Sequence, residues 1–304
     1  MPTINPITAS LQAPVVLDGA MGTELEKRGV KTNDALWSAN ALLTDPEAIY
    51  AVHASYFQAG ATIAITDTYQ ANVAAFAKLG ITHARALELI KLGVQLAQRA
   101  RDDVQPNGLV AGCVGPYGAY LANGAEYTGA YKLSPAEYDD FHAEKIQTLL
   151  ADGVDLLSVD TIPNFAEVQA LTTMLAEQSQ LVPTWISLSI KDPQTLSDGT
   201  PLATVVEWLD HAQAVSGIGI NCTGFANVLP AVQLIRAHSE KPIVVYPNPG
   251  DVYDPVTKTW IAVAHSQTFA DVVPEWLAAG ANIIGGCCRT TPADIEQIAK
   301  LLKK

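Results

Sequence analysis

The sequence predicts an α/β fold, a single (β/α)8 TIM-type barrel spanning residues 1–304. Three observations carry this reading. Eight short runs rich in β-branched residues alternate with longer runs whose apolar positions recur at spacings of three and four. Several helical runs stop at a glycine just before the next strand, as at Gly60, Gly153 and Gly280. A chain of 304 residues suits one closed barrel, whereas an open sheet of eight parallel strands leaves two edges to protect.

The strands follow in order as VVLDG (15–19), TIAITD (62–67), LVAGCVG (109–115), DLLSVDT (155–161), TWISLSI (184–190), IGINC (218–222), PIVVYPN (242–248) and NIIGGCC (282–288). Between them lie helical patterns such as ARALELIKLGVQLAQRA, HAEKIQTLLADG, AEVQALTTMLAEQ, ATVVEWLDHAQ, VLPAVQLIRAH and FADVVPEWLAAG, and ADIEQIAKLLKK closes the chain. The connection over residues 115–134, GPYGAYLANGAEYTGAYKLS, carries too many turn-formers for a helix and too many aromatics for a linker. It reads as an ordered loop over a site.

Composition narrows the function. Hydrophobic residues make up 49% and charged residues 16%, which excludes disorder. Eighteen Lys plus Arg against 31 Asp plus Glu give a net charge of −13, a surface that repels nucleic acid and anionic lipid. The first residues, MPTINPITASLQAPVV, lack Lys and Arg, and no stretch of membrane-spanning length is uniformly apolar. A cytoplasmic chain is expected, and nothing in the helix patterns marks an oligomer interface.

In such barrels chemistry sits at the C-terminal strand ends, because the loops there are free to vary. Those ends carry Asp18, Asp67, Cys113, Asp160 with Thr161, Ser189, Cys222, Asn248, and Cys287 with Cys288. A lone Asp or Asn also serves as a cap or turn residue. Three cysteines at strands six and eight say more, since these strands are next-nearest neighbours in the ring. Cys222, Cys287 and Cys288 are therefore expected to be metal ligands and catalytic residues. Soft sulfur donors select Zn²⁺, and three ligands leave a fourth position open. With a net charge of about −1 such a site is a weak Lewis acid, better suited to holding another thiolate than to making hydroxide. The alternative is a vicinal disulfide or buried thiols, which is the preferred reading for Cys113. The six histidines, His53, His83, His142, His211, His238 and His265, form no HxxH or HExxH spacing, which disfavours a histidine-based hydrolase.

The same residues are where the chain resembles the zinc-dependent homocysteine S-methyltransferases. The matching segments are LDGAMGTELEKRG, VGPYGAYLANGAEYTGAY, DTIPNFAEV, SDGTPL, GINC, VVYPNPGDVYD and IGGCCRTTPADI, nearly end to end. The loop GPYGAYLANGAEYTGAY and the segment TKTW resemble most the branch that takes its methyl group from S-methylmethionine. The resemblance implies methionine biosynthesis: a methyltransferase with zinc on Cys222, Cys287 and Cys288, the homocysteine amino group on Asp18 and Asp160, and its carboxylate cradled by the backbone of Gly19 to Gly22 beside Thr161. The chain departs from the family's usual Glu-Thr at Asp160-Thr161, which retracts the carboxylate by about 1.5 Å and bears on homocysteine affinity. Cys113 stands where a small residue such as Ser is expected, near enough to the mouth for an adventitious ligand or an oxidation site.

The chemistry fits these residue types. Zinc overcomes the thiol pKa near 8.5 that leaves a free thiol mostly protonated at neutral pH, and a sulfonium donor departs as a neutral thioether. Thiolate and sulfonium annihilate charge, which a dry pocket favours. Glu126, or the rings of Tyr117, Tyr120, Tyr127 and Tyr131, are candidates to attract the sulfonium by terms of order 1 kcal/mol each. Asn221 adjoins a ligand and is the better candidate for a supporting role, with Asn248 equally suited to a turn. Two other readings stand beside this one. A non-catalytic zinc or thiol-binding protein leaves the third loop idle, and a Schiff-base aldolase using Lys191 leaves the cysteines unexplained. With 304 residues used by the barrel, no room remains for a cobalamin module.

Overall fold

The computed structural model describes residues 14–32, 36–179, 182–250, 252–254, 259–261 and 267–303. Eight parallel strands form its centre: β1 (Val15–Val16), β2 (Ile63–Ile65), β3 (Leu109–Val114), β4 (Leu156–Ile162), β5 (Thr184–Leu188), β6 (Gly217–Gly224), β7 (Ile243–Asn248) and β8 (Ala281–Ile284). They pair in sequence order, and β8 returns to β1 through Val15 opposite Ile283 and Val16 opposite Ile284. A parallel bridge from Leu17 to Ile63 completes the ring, with Thr62 N–H donating to Val16 O at 2.8 Å and Asp18 N–H to Ile63 O at 3.1 Å. The predicted barrel is thus observed.

Each strand is followed by a principal helix: α1 (Pro46–Gln58), α2 (His83–Val104), α3 (Pro135–Ala151), α4 (Phe165–Ala176), α5 (Leu202–His211), α6 (Phe225–His238), α7 (Phe269–Ala278) and α8 (Pro292–Leu302). Local sequence explains where several begin. Ser134 and Glu137, Thr268 and Asp271, and Thr291 and Asp294 form reciprocal capping boxes at α3, α7 and α8. Gly60, Gly153 and Gly280 have φ of 104°, 77° and 106°, the left-handed conformation that turns the chain back toward the sheet.

The core has two layers. Leu17, Ile63, Ala111, Leu156, Trp185, Val244, Tyr246 and Ile283 fill the barrel interior, and a larger set, including Ile90, Val159, Ile186, Val232 and Ile298, lies between strands and helices. A packed interior leaves the mouth as the place for a ligand. Among the described residues no helix is long and apolar enough to cross a membrane.

Three expectations are corrected. The eighth strand ends at Ile284, so the GGCC sequence leaves the sheet as a loop. The connection after β3 contains a one-turn helix (Tyr117–Tyr120) and a 3-10 turn (Ala125–Tyr127). Two antiparallel hairpins, Ile190–Asp192 with Thr195–Leu196 and Val252–Asp254 with Thr259–Ile261, were not foreshadowed by the strand pattern. His265 and part of the TKTW segment lie outside the described residues.

His53, in α1, is fully buried with neither ring nitrogen hydrogen-bonded, and burial lowers its pKa from 6.5 to about 3. The fold therefore holds it neutral, so its contribution is present above pH 6.5 and lost as pH falls toward 3. In His53→Leu the decline in unfolding free energy between pH 7 and 4 is expected to shrink by roughly 3 kcal/mol, as measured by urea denaturation. An unchanged decline would show that His53 gains a proton without cost.

Candidate functional site

A cavity of about 180 Å³ opens at the C-terminal ends of the strands. Asp18, Gly19, Asp67, Cys113, Glu126, Asp160, Thr161, Asn221, Cys222, Cys287 and Cys288 all line it. Ser189 and Asn248 do not; Ser189 instead pairs with Ser197 in the first hairpin at 3.0 Å. Lys191 is exposed on that hairpin, away from the cavity, which removes the observation that favoured an aldolase.

Backbone irregularities turn two strand ends into the cavity. The β4–β5 register shifts between Val159 and Ile162, and the β6–β7 register shifts between Asn221 and Gly224. Such bulges re-aim side chains. Thr161 and Cys222 sit at these shifts with φ of 61° and 50°, a region that residues other than glycine rarely occupy. Asn221 binds them together. Its Oδ1 accepts from Thr161 N–H at 3.1 Å, and its Nδ2 donates to Thr161 Oγ1 at 2.7 Å and lies 3.5 Å from Cys222 Sγ. Asn221, expected to support the site, makes three contacts to these two residues.

The sulfur atoms of Cys222, Cys287 and Cys288 all lie within 4.8 Å of one another. Cys222 and Cys287 are joined as a disulfide with Cα atoms 5.6 Å apart, and Cys288 is free. The pairing crosses from β6 to the loop after β8, so it is not the vicinal disulfide that the sequence allowed. Reduction would leave three soft donors whose spacing suits a tetrahedral ion with metal–sulfur distances of about 2.3 Å. Burial pushes the Cys288 thiol up to about 12, so a bound cation would supply the charge that a thiolate there lacks.

The double glycine before these cysteines is not explained by conformation, since neither Gly285 nor Gly286 has a left-handed φ. Close packing is the reason instead. A Cβ on Gly286 would lie 2.5 Å from Thr290 Oγ1, and one on Gly285 would lie 2.6 Å from Asp18 O. Thr290 Oγ1 accepts from Ala20 N–H at 3.1 Å and donates to Cys287 O at 2.6 Å, stitching the first loop to the last.

The acids form the opposite part of the lining. Asp18 Oδ2 accepts from Ile65 N–H at 2.9 Å. Asp160 Oδ1 accepts from Tyr246 OH at 2.6 Å and from Ser158 Oγ, and its Oδ2 accepts from the Cys113 thiol at 3.0 Å. Burial raises both carboxyls above their usual range, and repulsion from Asp160 raises Asp18 further. Cys113 is thus a buried, neutral thiol, its ionisation opposed by burial and by Asp160, and it is not one of the three clustered sulfurs.

The third loop divides in two. Glu126 and Tyr127 line the cavity, whereas Tyr117, Tyr120 and Tyr131 do not. Tyr117 packs edge-to-face and Tyr120 tilted against Phe141, and Tyr131 OH and Tyr117 N–H both donate to the buried Glu167 carboxylate, which also meets His142 Nε2 at 2.7 Å. Sequence reasoning missed Tyr69, Trp37 and Tyr246 in the lining. Tyr69, two residues past the Asp67 strand end, was the only one within reach of a strand-end rule.

Known proteins match this chain over nearly its whole length. A family profile described as homocysteine S-methyltransferase matches residues 15–302. Homocysteine S-methyltransferase YbgG of Bacillus subtilis is 42% identical over 307 residues, covering 97% of each chain. The crystal structure of the homocysteine methyltransferase MmuM from Escherichia coli in its metallated form superposes with a TM-score of 0.88 at 44% identity, covering 98% of this chain and 100% of the other. MmuM in its oxidized form gives the same score and identity, with coverage of 98% and 99%. The chain belongs to the homocysteine S-methyltransferase family.

Proposed function

We propose that the protein makes methionine by moving a methyl group from a sulfonium donor, S-methylmethionine in preference to S-adenosylmethionine, onto the sulfur of homocysteine. The observation that carries this reading is one cavity in which three clustered sulfurs face two buried carboxylates that repel each other. The donor set suits zinc. A zinc ion on Cys222, Cys287 and Cys288 would supply a place where the homocysteine sulfur is held as thiolate at neutral pH.

The chain's own residues do the rest. Asp18 and Asp160 bind the homocysteine ammonium, which relieves their mutual repulsion and the cost of burying two carboxylates. Ser158, Tyr246 and Cys113 hold the short Asp160 side chain in place, which compensates for the missing methylene relative to Glu. Backbone N–H groups near Gly19 to Gly22, with Thr161, take the carboxylate. Glu126, whose Oε2 has no partner and whose carboxyl burial lifts to about 7, faces the sulfonium side. Held near 3 to 3.5 Å and in line, the sulfur attacks the methyl carbon while the donor's carbon–sulfur bond breaks. The bonding pair leaves on the donor sulfur as a neutral thioether, and no proton moves in that step. A cytoplasmic location accompanies this reading, because ligand cysteines need a reducing compartment.

Reduced, zinc-loaded protein given homocysteine and S-methylmethionine is expected to form two methionines for each homocysteine consumed, since the departing thioether is itself methionine. S-adenosylmethionine should be slower and betaine inert. No methionine above the enzyme-free rate with any donor would contradict the proposal. Asn221→Ala should strand the buried Thr161 N–H and lower the unfolding free energy by about 1–3 kcal/mol, with a parallel loss of metal retention on dialysis. Wild-type melting and metal content in this variant would show that Thr161 and Cys222 keep their conformations unaided.

A further inference from the structure

The cavity holds more negative charge than homocysteine can use. Asp18, Glu26, Asp67, Glu126 and Asp160 line it, and among the described residues no Lys, Arg or His does. Homocysteine brings one ammonium, and the Asp18 and Asp160 pair accounts for it. Asp67 remains without a role. It follows β2, is 3% exposed, receives a hydrogen bond from Ser38 and keeps Oδ2 with no partner. An unpartnered carboxylate oxygen in a cavity wall is costly unless a ligand completes it.

The position of Asp67 is fixed from outside the cavity. Lys145 Nζ, itself buried, donates to Thr68 O and to Tyr69 O, the latter at 3.1 Å. Thr68 Oγ1 donates to Cys113 O at 2.9 Å. The turn that carries Asp67 is therefore pinned on both sides, and Ser38 fixes the carboxylate itself. Burial raises this carboxyl to about 6 while the Ser38 bond opposes the rise, so an anion prevails at neutral pH.

A donor of the amino-acid sulfonium class carries two cationic centres, a sulfonium and an α-ammonium. Glu126 and Asp67 are two further acids with unpartnered oxygens, one for each centre. We propose that Asp67 holds the α-ammonium of the methyl donor and thereby selects donors that are amino acids. This deepens the methyl-transfer reading and rests on it. It also explains why Asp67, although buried as deeply as Asp18 and Asp160, is not tied up by three internal donors as Asp160 is.

The test is steady-state kinetics of reduced, zinc-loaded wild type, Asp67→Asn and Asp67→Glu, varying homocysteine and S-methylmethionine separately. Asp67→Asn is nearly isosteric and should raise KM for S-methylmethionine at least about tenfold while KM for homocysteine stays within about twofold. Asp67→Glu should recover part of the loss. Equal rises in both KM values, or no rise in either, would overturn the assignment. So would a wild type that uses only sulfonium donors lacking an α-amino group, such as dimethylsulfoniopropionate. A wild type that makes no methionine from any donor is a different result, which removes the underlying methyl-transfer reading and this assignment with it.

Discussion

Ring closure is the constraint on which the rest of the structure depends. β1 contributes only Val15 and Val16 to the sheet, yet it must pair with β8 on one side and meet β2 through Leu17 and Ile63 on the other. That seam brings Asp18, from the start of the chain, beside Gly286 near its end, with Gly286 N–H donating to Asp18 O at 3.0 Å. Cys222 then faces Cys287 and Cys288 across the mouth only because β6 and β8 flank β7 in the closed ring. The crowding explains the glycines. Neither Gly285 nor Gly286 has space for a Cβ, so the loop carrying two sulfurs can lie directly on the first strand.

The mouth is built against its own stability. Buried carboxylates with unpartnered oxygens, and the positive φ of Trp37, Thr161 and Cys222, all cost free energy. The cationic centres of the proposed ligands would offset the carboxylate cost. The surrounding frame holds the arrangement by hydrogen bonds from distant segments: Tyr246 to Asp160, Thr290 to Ala20 and Cys287, and Asn221 to Thr161. Preorganisation of this kind lets binding energy go into alignment of the reacting atoms.

Much of this was legible in the sequence, for physical reasons. The β-branched runs, the apolar spacing of three and four and the terminal glycines mark the eight strands and the helices between them, and strand-end logic named eight of the residues that line the cavity. Bulges were not legible, because a register shift of one residue leaves no mark in a run such as VDTI or INCT. The anchors of Asp160 were hidden for another reason: Cys113 and Tyr246 lie 47 and 86 positions from it in sequence, and reach it from the adjacent strand β3 and from β7 across the barrel. The aromatic third loop misled in part, since Tyr117, Tyr120 and Tyr131 pack on Phe141 and Glu167 while Glu126 and Tyr127 alone reach the site. Composition tells that such a loop is ordered, but not which side of it faces the ligand.

A metal held by Cys222, Cys287 and Cys288 would keep one position free for the sulfur of homocysteine. X-ray absorption at the zinc edge of the reduced, zinc-loaded protein measures this directly, by counting sulfur neighbours before and after homocysteine is added. Three sulfur neighbours are expected alone and four with homocysteine. A shell unchanged by homocysteine, or one dominated by nitrogen and oxygen, would contradict it.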